Sequence, residues 1–321
     1  MKMACIDARL LSVVLVVCGI NTVSGQDFPA KPIRIITTAA GGGADFMARL
    51  IASGMTDSLG RQVVVENQAG SAAIPVQTAA RAAADGYTVL FSGAGLWTAP
   101  LLEKMPYDPV TDLAPIALLA RAPNILVVHP SLPVKSVQSL IALAKARPAQ
   151  LNVATGITGS SFHLAAELFK YMAGVDIVRI PYKGPAPALI ALLGGQVELA
   201  FPAAGAATPY IKSGKLRALA VTSAQPYALT PELPTVASSG VPGYESATMY
   251  GMFAPAKTPS ALILRLNREA VGAVSRTDIK EKFLAVGVEP VGSSPEVFAA
   301  AVKSELAVLA KVIKAAGIRA D

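Results

Sequence analysis

The sequence predicts an α/β protein whose sheets are mainly parallel and flanked by helices. Three observations carry this. Short apolar runs of strand length alternate with helical runs along most of the chain. A glycine-rich loop joins a strand to a helix twice, around 37–45 and again around 155–161. Proline and small residues collect at 121–123 and at 234–243, natural places for the chain to cross between two lobes.

At the amino terminus, Lys2 and Arg9 precede an apolar run over 10–20 that is too short to span a bilayer, and Val23-Ser24-Gly25 supplies small residues before Gln26. This is the pattern of a secretory signal peptide, with cleavage expected after Gly25. Cys18 raises a lipoprotein as the alternative; Val17 is larger than the small residue that lipid-modifying processing wants, which argues against it. Both cysteines, Cys5 and Cys18, fall in this leader, so the mature chain has no thiol for a disulfide, a nucleophile or a metal. The histidines are His129 and His163 alone, and neither a His-Glu-x-x-His pair nor a Gly-x-Ser-x-Gly elbow occurs. No catalytic residue, metal or cofactor is expected. The net charge of +7 is scattered, with no basic run interleaved with aromatics, so no nucleic acid is expected as a partner; a mild positive field would favour small anionic solutes, and simple solubility is the plainer and foremost reading of the charge.

The first strand reads from Ile33, Ile35 and Ile36. The first helix reads from Met47, Leu50, Ile51 and Gly54 and ends at Gly60. The triplet Gly41-Gly42-Gly43 therefore lies at the mouth of a helix, where backbone N–H groups and the helix dipole attract an anion. A turn shaped only for tight packing is the competing reading. No Gly-Lys-Ser or Gly-Lys-Thr follows, which excludes a nucleotide P-loop. Further strands are expected at 63–66, 87–91, 125–129, 151–154, 176–180, 197–201 and 216–222, and helices at 76–84, 137–147, 161–172, 188–193 and 295–316. The second loop repeats the first in kind: a strand, then Thr155, Gly156, Thr158, Gly159, Ser160 and Ser161, then a helix with Phe162, Ala165, Ala166, Phe169 and Met172 on one face. Ser160 or Ser161 is expected to cap that helix.

The run Phe28-Pro29-Ala30-Lys31-Pro32-Ile33-Arg34, the glycine triplet with Asp45, Val64-Val65-Glu66-Asn67 and Asp85-Gly86-Tyr87-Thr88-Val89-Leu90 occur in order, followed by Pro181-Tyr182-Lys183-Gly184 and Leu193-Gly194-Gly195-Gln196-Val197. With Gly214-Lys215-Leu216-Arg217, Leu233-Pro234-Thr235-Val236, Gly240-Val241-Pro242-Gly243-Tyr244-Glu245 and Glu289-Pro290-Val291-Gly292-Ser293, they span essentially the whole mature chain. In order and number they resemble the receptors of tripartite tricarboxylate transporters, the Bug or TctC family.

The resemblance implies a two-lobed periplasmic binding protein that closes like a clamshell on a small carboxylate and delivers it to integral membrane permease subunits, as a monomer. It implies a signal peptide over 1–25, a discontinuous first lobe over 26–122 and 246–321, and a second lobe over 123–245. By position, Ala40, Gly41, Gly42, Gly43 and Ala44 stand on one jaw, and Thr155, Gly156, Thr158, Gly159, Ser160 and Ser161 on the other. Asp45 reads foremost as a helix N-cap and secondarily as a ligand contact. His163 reads either as a ligand contact or as a support for its loop, Lys183 as a ligand partner or an exposed lysine, and Tyr250, with Met249, as cleft wall or interlobe packing. The sequence departs from the family pattern at Thr37-Thr38-Ala39-Ala40, at Gln68-Ala69-Gly70-Ser71-Ala72-Ala73-Ile74 and at Phe201-Pro202-Ala203-Ala204. Each departure removes polar groups or flexible glycines. With Phe201 and Tyr250 as candidate walls, this favours an apolar or aromatic carboxylate over citrate or an amino acid. Two other classes share these features: a ligand-sensing receptor coupled to a membrane kinase, and a periplasmic enzyme acting on carboxylates, for which no catalytic constellation is found.

Overall fold

The computed structural model describes residues 28–318 except 39, 42, 69–72 and 157. The expected signal peptide and its cleavage point lie outside the described residues, as does Gly42 of the glycine triplet.

The chain opens with β1 (Ile33–Thr37), α1 (Gly43–Leu59), β2 (Val63–Asn67), α2 (Ala73–Ala80), β3 (Thr88–Gly93), the short α3 (Gly95–Thr98) and the long β4 (Leu113–Pro123). It then crosses to β5 (Ile125–Val128), α4 (Val137–Ala146), β6 (Asn152–Thr155), α5 (Ser161–Ala173), β7 (Val178–Pro181), α6 (Pro185–Leu193), β8 (Leu199–Ala200), α7 (Ala204–Lys212) and β9 (Arg217–Val221). It returns as β10 (Ala247–Pro255), α8 (Ser260–Ser275), α9 (Thr277–Ala285), β11 (Glu289–Pro290) and α10 (Pro295–Ala315).

Two sheets result, in the orders β11-β4-β10-β3-β1-β2 and β7-β6-β8-β5-β9. Each has a parallel three-strand part at one edge, β2-β1-β3 in one and β7-β6-β8 in the other, joined to antiparallel strands on one side. The antiparallel part is larger than the strand–helix alternation suggests, because β4, β5, β9 and β10 run to and from the crossing points and must oppose their neighbours. The two parallel triplets have the same connection order, the first strand in the middle, the second on one side of it and the third on the other. In such sheets the crevice falls where that direction reverses, at the carboxyl ends of the first and third strands. That places one half-site over β1 and β3 and another over β6 and β8.

Burial explains the elements. Ile33, Ile35 and Ile36 of β1 are all buried because the strand is covered on both faces. Ile33 and Ile35 pack with Met47, Ile51 and Met55 of α1, while Ile36 joins Trp97, Phe253 and Phe298 on the opposite face. The second sheet closes around Val127, Val153, Phe169, Leu199 and Phe201. Ser160 caps α5 by accepting the His163 N–H at 3.3 Å, and Gly174 ends that helix in the left-handed conformation.

The crossing segments are laced together. Thr222 Oγ1 accepts the Asn124 N–H at 2.7 Å and donates to the Ser246 carbonyl at 2.5 Å, and the Ser246 N–H returns a bond to the Thr222 carbonyl at 2.8 Å. The carboxy-terminal helix links the lobes a third time. Phe298 and Val302 belong to the core beside the first sheet, whereas Leu309 and Ile313 pack on Leu164 of α5.

Candidate functional site

The first half-site is the β1–α1 loop. Ala40, Gly41 and Gly43 are exposed there, and Ala44 is half-buried against the α1 face of the core. Asp45 is not the N-cap. It is the third residue of α1, 6% exposed, and its carboxylate reaches back to accept the Gly41 N–H at 2.9 Å while also taking the Asn67 amide at 2.8 Å and pairing with Arg49 Nε at 2.9 Å. Burial works against its charge, but the Gly41 N–H, Asn67 and Arg49 outweigh burial and hold the carboxyl below the usual range. Its oxygens are engaged, so Asp45 shapes the loop in place of touching a ligand. A carboxylate neutralised in this way also repels an incoming anion less than a bare one.

A second loop of the same lobe, which the sequence reading passed over, lies at the end of β3. Gly93, Ala94 and Gly95 face the interlobe space beside Gly159, Ser160 and Ser161. The signal was present in the sequence: a buried strand running into Gly-Ala-Gly. Tyr250 pairs with Gly93 across the β3–β10 ladder and stacks on Phe91 at 6.3 Å, so it lines the same space while half-buried in the core. Burial raises its hydroxyl above the usual tyrosine range.

The opposite half-site is the β6–α5 loop. Thr155 is buried, Gly156 is buried, and Thr158, Gly159 and Ser160 are half-exposed, with Ser161 exposed in the first turn of α5. Arg179 of β7, which was also missed, organises this loop. Its Nε donates to Thr155 Oγ1 at 3.0 Å, and its Nη2 donates to Thr158 Oγ1 at 3.0 Å and, weakly, to the Gly156 carbonyl at 3.5 Å. No carboxylate pairs with Arg179 among the described residues, so a guanidinium charge stands behind a loop of hydroxyls and N–H groups. His163 is 1% exposed, and its Nδ1 accepts the Gly159 N–H at 3.1 Å. It supports the loop from within, which excludes the direct ligand contact among its two expected roles.

Two further expectations change. Phe201 is fully buried, packed on Phe169 at 5.4 Å inside the second lobe, and walls no cleft. Ala204 is likewise buried in that core, leaving Ala203 exposed. Lys183 is exposed in the turn before α6. The structure brings Gly93–Gly95, Gly159–Ser161 and Tyr250 onto one cavity; among the described residues Ala40, Gly41, Gly43, Ala44, Asp45, Thr155, Gly156, Thr158, His163, Lys183 and Phe201 do not border it. No cluster of metal-ligating side chains occurs among the described residues, and none of their helices is long and apolar enough to cross a membrane.

Two lobes of matching topology, with helix-mouth loops opposed across a laced crossing, are the architecture of an extracytoplasmic solute-binding receptor. Comparison with known proteins gives the family. The model of the tripartite tricarboxylate transporter family receptor matches residues 47–318. Protein BugT of Bordetella pertussis is 37% identical over 320 residues, covering 97% of this chain and 98% of its own length. Among solved structures, Rpa4515 of R. palustris with adipate is 38% identical at a TM-score of 0.72, covering 91% of this chain and 99% of that one. MatC from Rhodopseudomonas palustris with bound malate is 29% identical at a TM-score of 0.69, covering 89% and 100%. The chain belongs to the tripartite tricarboxylate transporter receptor family: it is a solute-binding receptor, not an enzyme.

Proposed function

We propose that this protein works in the periplasm, holds a small carboxylate between its two lobes and delivers it to the membrane permease of a tripartite tricarboxylate-type transporter. The observation that carries the reading is the second half-site. Arg179, which pairs with no carboxylate among the described residues, holds Thr155 and Thr158 at the mouth of α5, and Asp45 of the first jaw is already engaged. The guanidinium sets a positive charge behind this loop, which suits an anion. Helix-mouth N–H groups add donors that carry no desolvated charge of their own.

The ligand body is apolar, aliphatic or aromatic. The loss of Phe201 from the cleft removes one argument for this, but Tyr250 and the apolar faces of α5 and α10 beside it take its place. The adipate of Rpa4515 has such a body.

Calorimetry on the purified mature chain is expected to give one carboxylate per protein at micromolar affinity, about 8 kcal/mol, and chromatography of the recovered ligand is expected to show it unchanged. A product peak, or no binding by any carboxylate, overturns the receptor reading. In competition, an aromatic or aliphatic carboxylate is expected to displace citrate and glutamate. The reverse order removes the apolar preference alone.

A further inference from the structure

Between α5, α10 and the start of β10 lies a cavity of about 660 Å³, within the usual range for small-molecule sites. The loops at Gly93 and Gly159 open onto it, so it is continuous with the interlobe site. Its walls are largely apolar, with Leu164, Leu168 and Met172 from α5 facing Leu309 and Val312 from α10. Hydroxyls at Thr98, Ser246, Thr248 and Ser304 and one charged cluster interrupt them. Glu305 of α10 accepts the Trp97 indole N–H on Oε2 at 2.7 Å, and beside it Arg121 Nη1 pairs with Glu245 Oε1 at 2.7 Å. The remaining titratable wall residues are Tyr171 on α5, Tyr250 on β10 and exposed Lys311 on α10. Arg121 Nη1 and Glu245 Oε1 satisfy each other while Arg121 Nε is buried without a partner, and Oε1 of Glu305 has no hydrogen-bond partner among the described residues. The cavity thus offers a partly apolar passage ending at an acceptor that lacks a donor.

We propose that this cavity is the far compartment of the ligand site and that Glu305 selects an elongated carboxylate whose distal end carries a hydrogen-bond donor, a hydroxyl or an ammonium. The inference rests on the receptor reading above, which places the proximal carboxylate on the glycine and hydroxyl loops. Burial pushes the Glu305 carboxyl up to about 7, against the pull of the Trp97 N–H; Glu245 adds to the rise and Arg121 opposes it. Its charge near neutral pH is therefore poised to follow what arrives opposite. A distal ammonium needs Glu305 ionised, so its affinity falls as pH drops below that value. A distal carboxylate needs Glu305 protonated, so its affinity falls as pH rises above it. Each trend approaches tenfold per pH unit on its steep side.

The test is calorimetry with straight-chain carboxylates of four, six and eight carbons, each ending in methyl, hydroxyl, ammonium or a second carboxylate, at about pH 5.5 and about pH 8.5, either side of the Glu305 transition. At the length that fits, hydroxyl and ammonium ends are expected to bind about tenfold more tightly than methyl at the higher pH. Ammonium and carboxylate ends are expected to show opposite pH trends. Glu305→Gln keeps an oxygen for Trp97 and is expected to flatten both trends. Val308→Trp, at a cavity-lining position 43% exposed and so tolerant of bulk, is expected to cost the long ligands about tenfold more than it costs propionate. Carboxylates that bind without regard to their distal end, or pH trends that persist in Glu305→Gln, overturn the inference and leave the receptor reading standing. If no carboxylate of any length binds, the receptor reading itself fails.

Discussion

Gly159 is the point where the two lobes touch beside the site, and its replacement by alanine separates backbone strain from interlobe contact. Its φ is +79°, and a Cβ built there would overlap Leu102 Cδ1, which belongs to the segment after α3 in the other lobe. The left-handed conformation costs an L-residue roughly 1 to 2 kcal/mol. Displacing the end of a leucine into a poorer rotamer adds roughly 0.5 to 1.5 kcal/mol. Gly159→Ala is therefore expected to destabilise by about 1.5 to 3.5 kcal/mol. Gly174, the left-handed cap of α5 at φ +62° with nothing within 4 Å of a built Cβ, supplies the control. Gly174→Ala carries the strain term alone, about 1 to 2 kcal/mol. Urea unfolding of both variants, with Leu102→Ala added to each, completes the cycle. The leucine truncation is expected to recover part of the loss in Gly159→Ala and none in Gly174→Ala. Since Gly159 also donates to His163, ligand affinity is expected to fall in Gly159→Ala and to hold in Gly174→Ala. Equal losses at the two glycines, with no recovery from Leu102→Ala, refute the contact and the reasoning built on it.

Two other outcomes follow from the corrected site. The lowered carboxyl of Asp45 stabilises the fold fully above its unfolded-state value near about 4, and that contribution is lost as pH falls through the lower folded-state value. Urea midpoints at neutral pH and near about pH 3 are thus expected to differ more in the wild type than in Asp45→Asn; identical differences would mean the Gly41 and Asn67 bonds do not hold the carboxylate. Phe201→Ala is expected to cost about 3 to 5 kcal/mol of stability, as for a buried core aromatic, while the folded fraction keeps its ligand affinity. A collapse of affinity with stability intact would return Phe201 to the cleft.

The alternation of strands and helices, and the two glycine-rich helix mouths, were legible because both are local patterns. The cap at Ser160 was legible for the same reason: its bond to the His163 N–H spans three residues. Asp45 was misread because the first and third positions around a helix start differ by so little in sequence, and only the observed start at Gly43 separates an N-cap from an acid reaching back to Gly41. Phe201 was misread because an aromatic just past a strand end can turn inward or outward, and Phe169, which draws it inward, sits on another element. Arg179 and Glu305 were beyond reach for a plainer reason. Their partners lie 24 and 208 residues away, at Thr155 and Trp97, and no periodicity in the sequence records a contact that only the closed fold creates.

The two half-sites share a topology but not an electrostatic character, and this asymmetry bears on how such a receptor would load. The first jaw carries Asp45, whose charge is consumed by Gly41, Asn67 and Arg49, so it offers an anion backbone donors and little net field. The second carries Arg179, whose charge is spread over two threonine hydroxyls and met by no acid among the described residues. In the proposed cycle a carboxylate is drawn first to the second lobe, where the field is, and the first lobe then closes over it with shorter-ranged hydrogen bonds. α10 is anchored on Phe298 in one lobe and on Leu164 of the other through Leu309, so in that cycle a closure would move its carboxyl-terminal half against α5. The same movement reshapes the cavity that holds Glu305, so the distal end of a long ligand and the angle between the lobes are read by one helix.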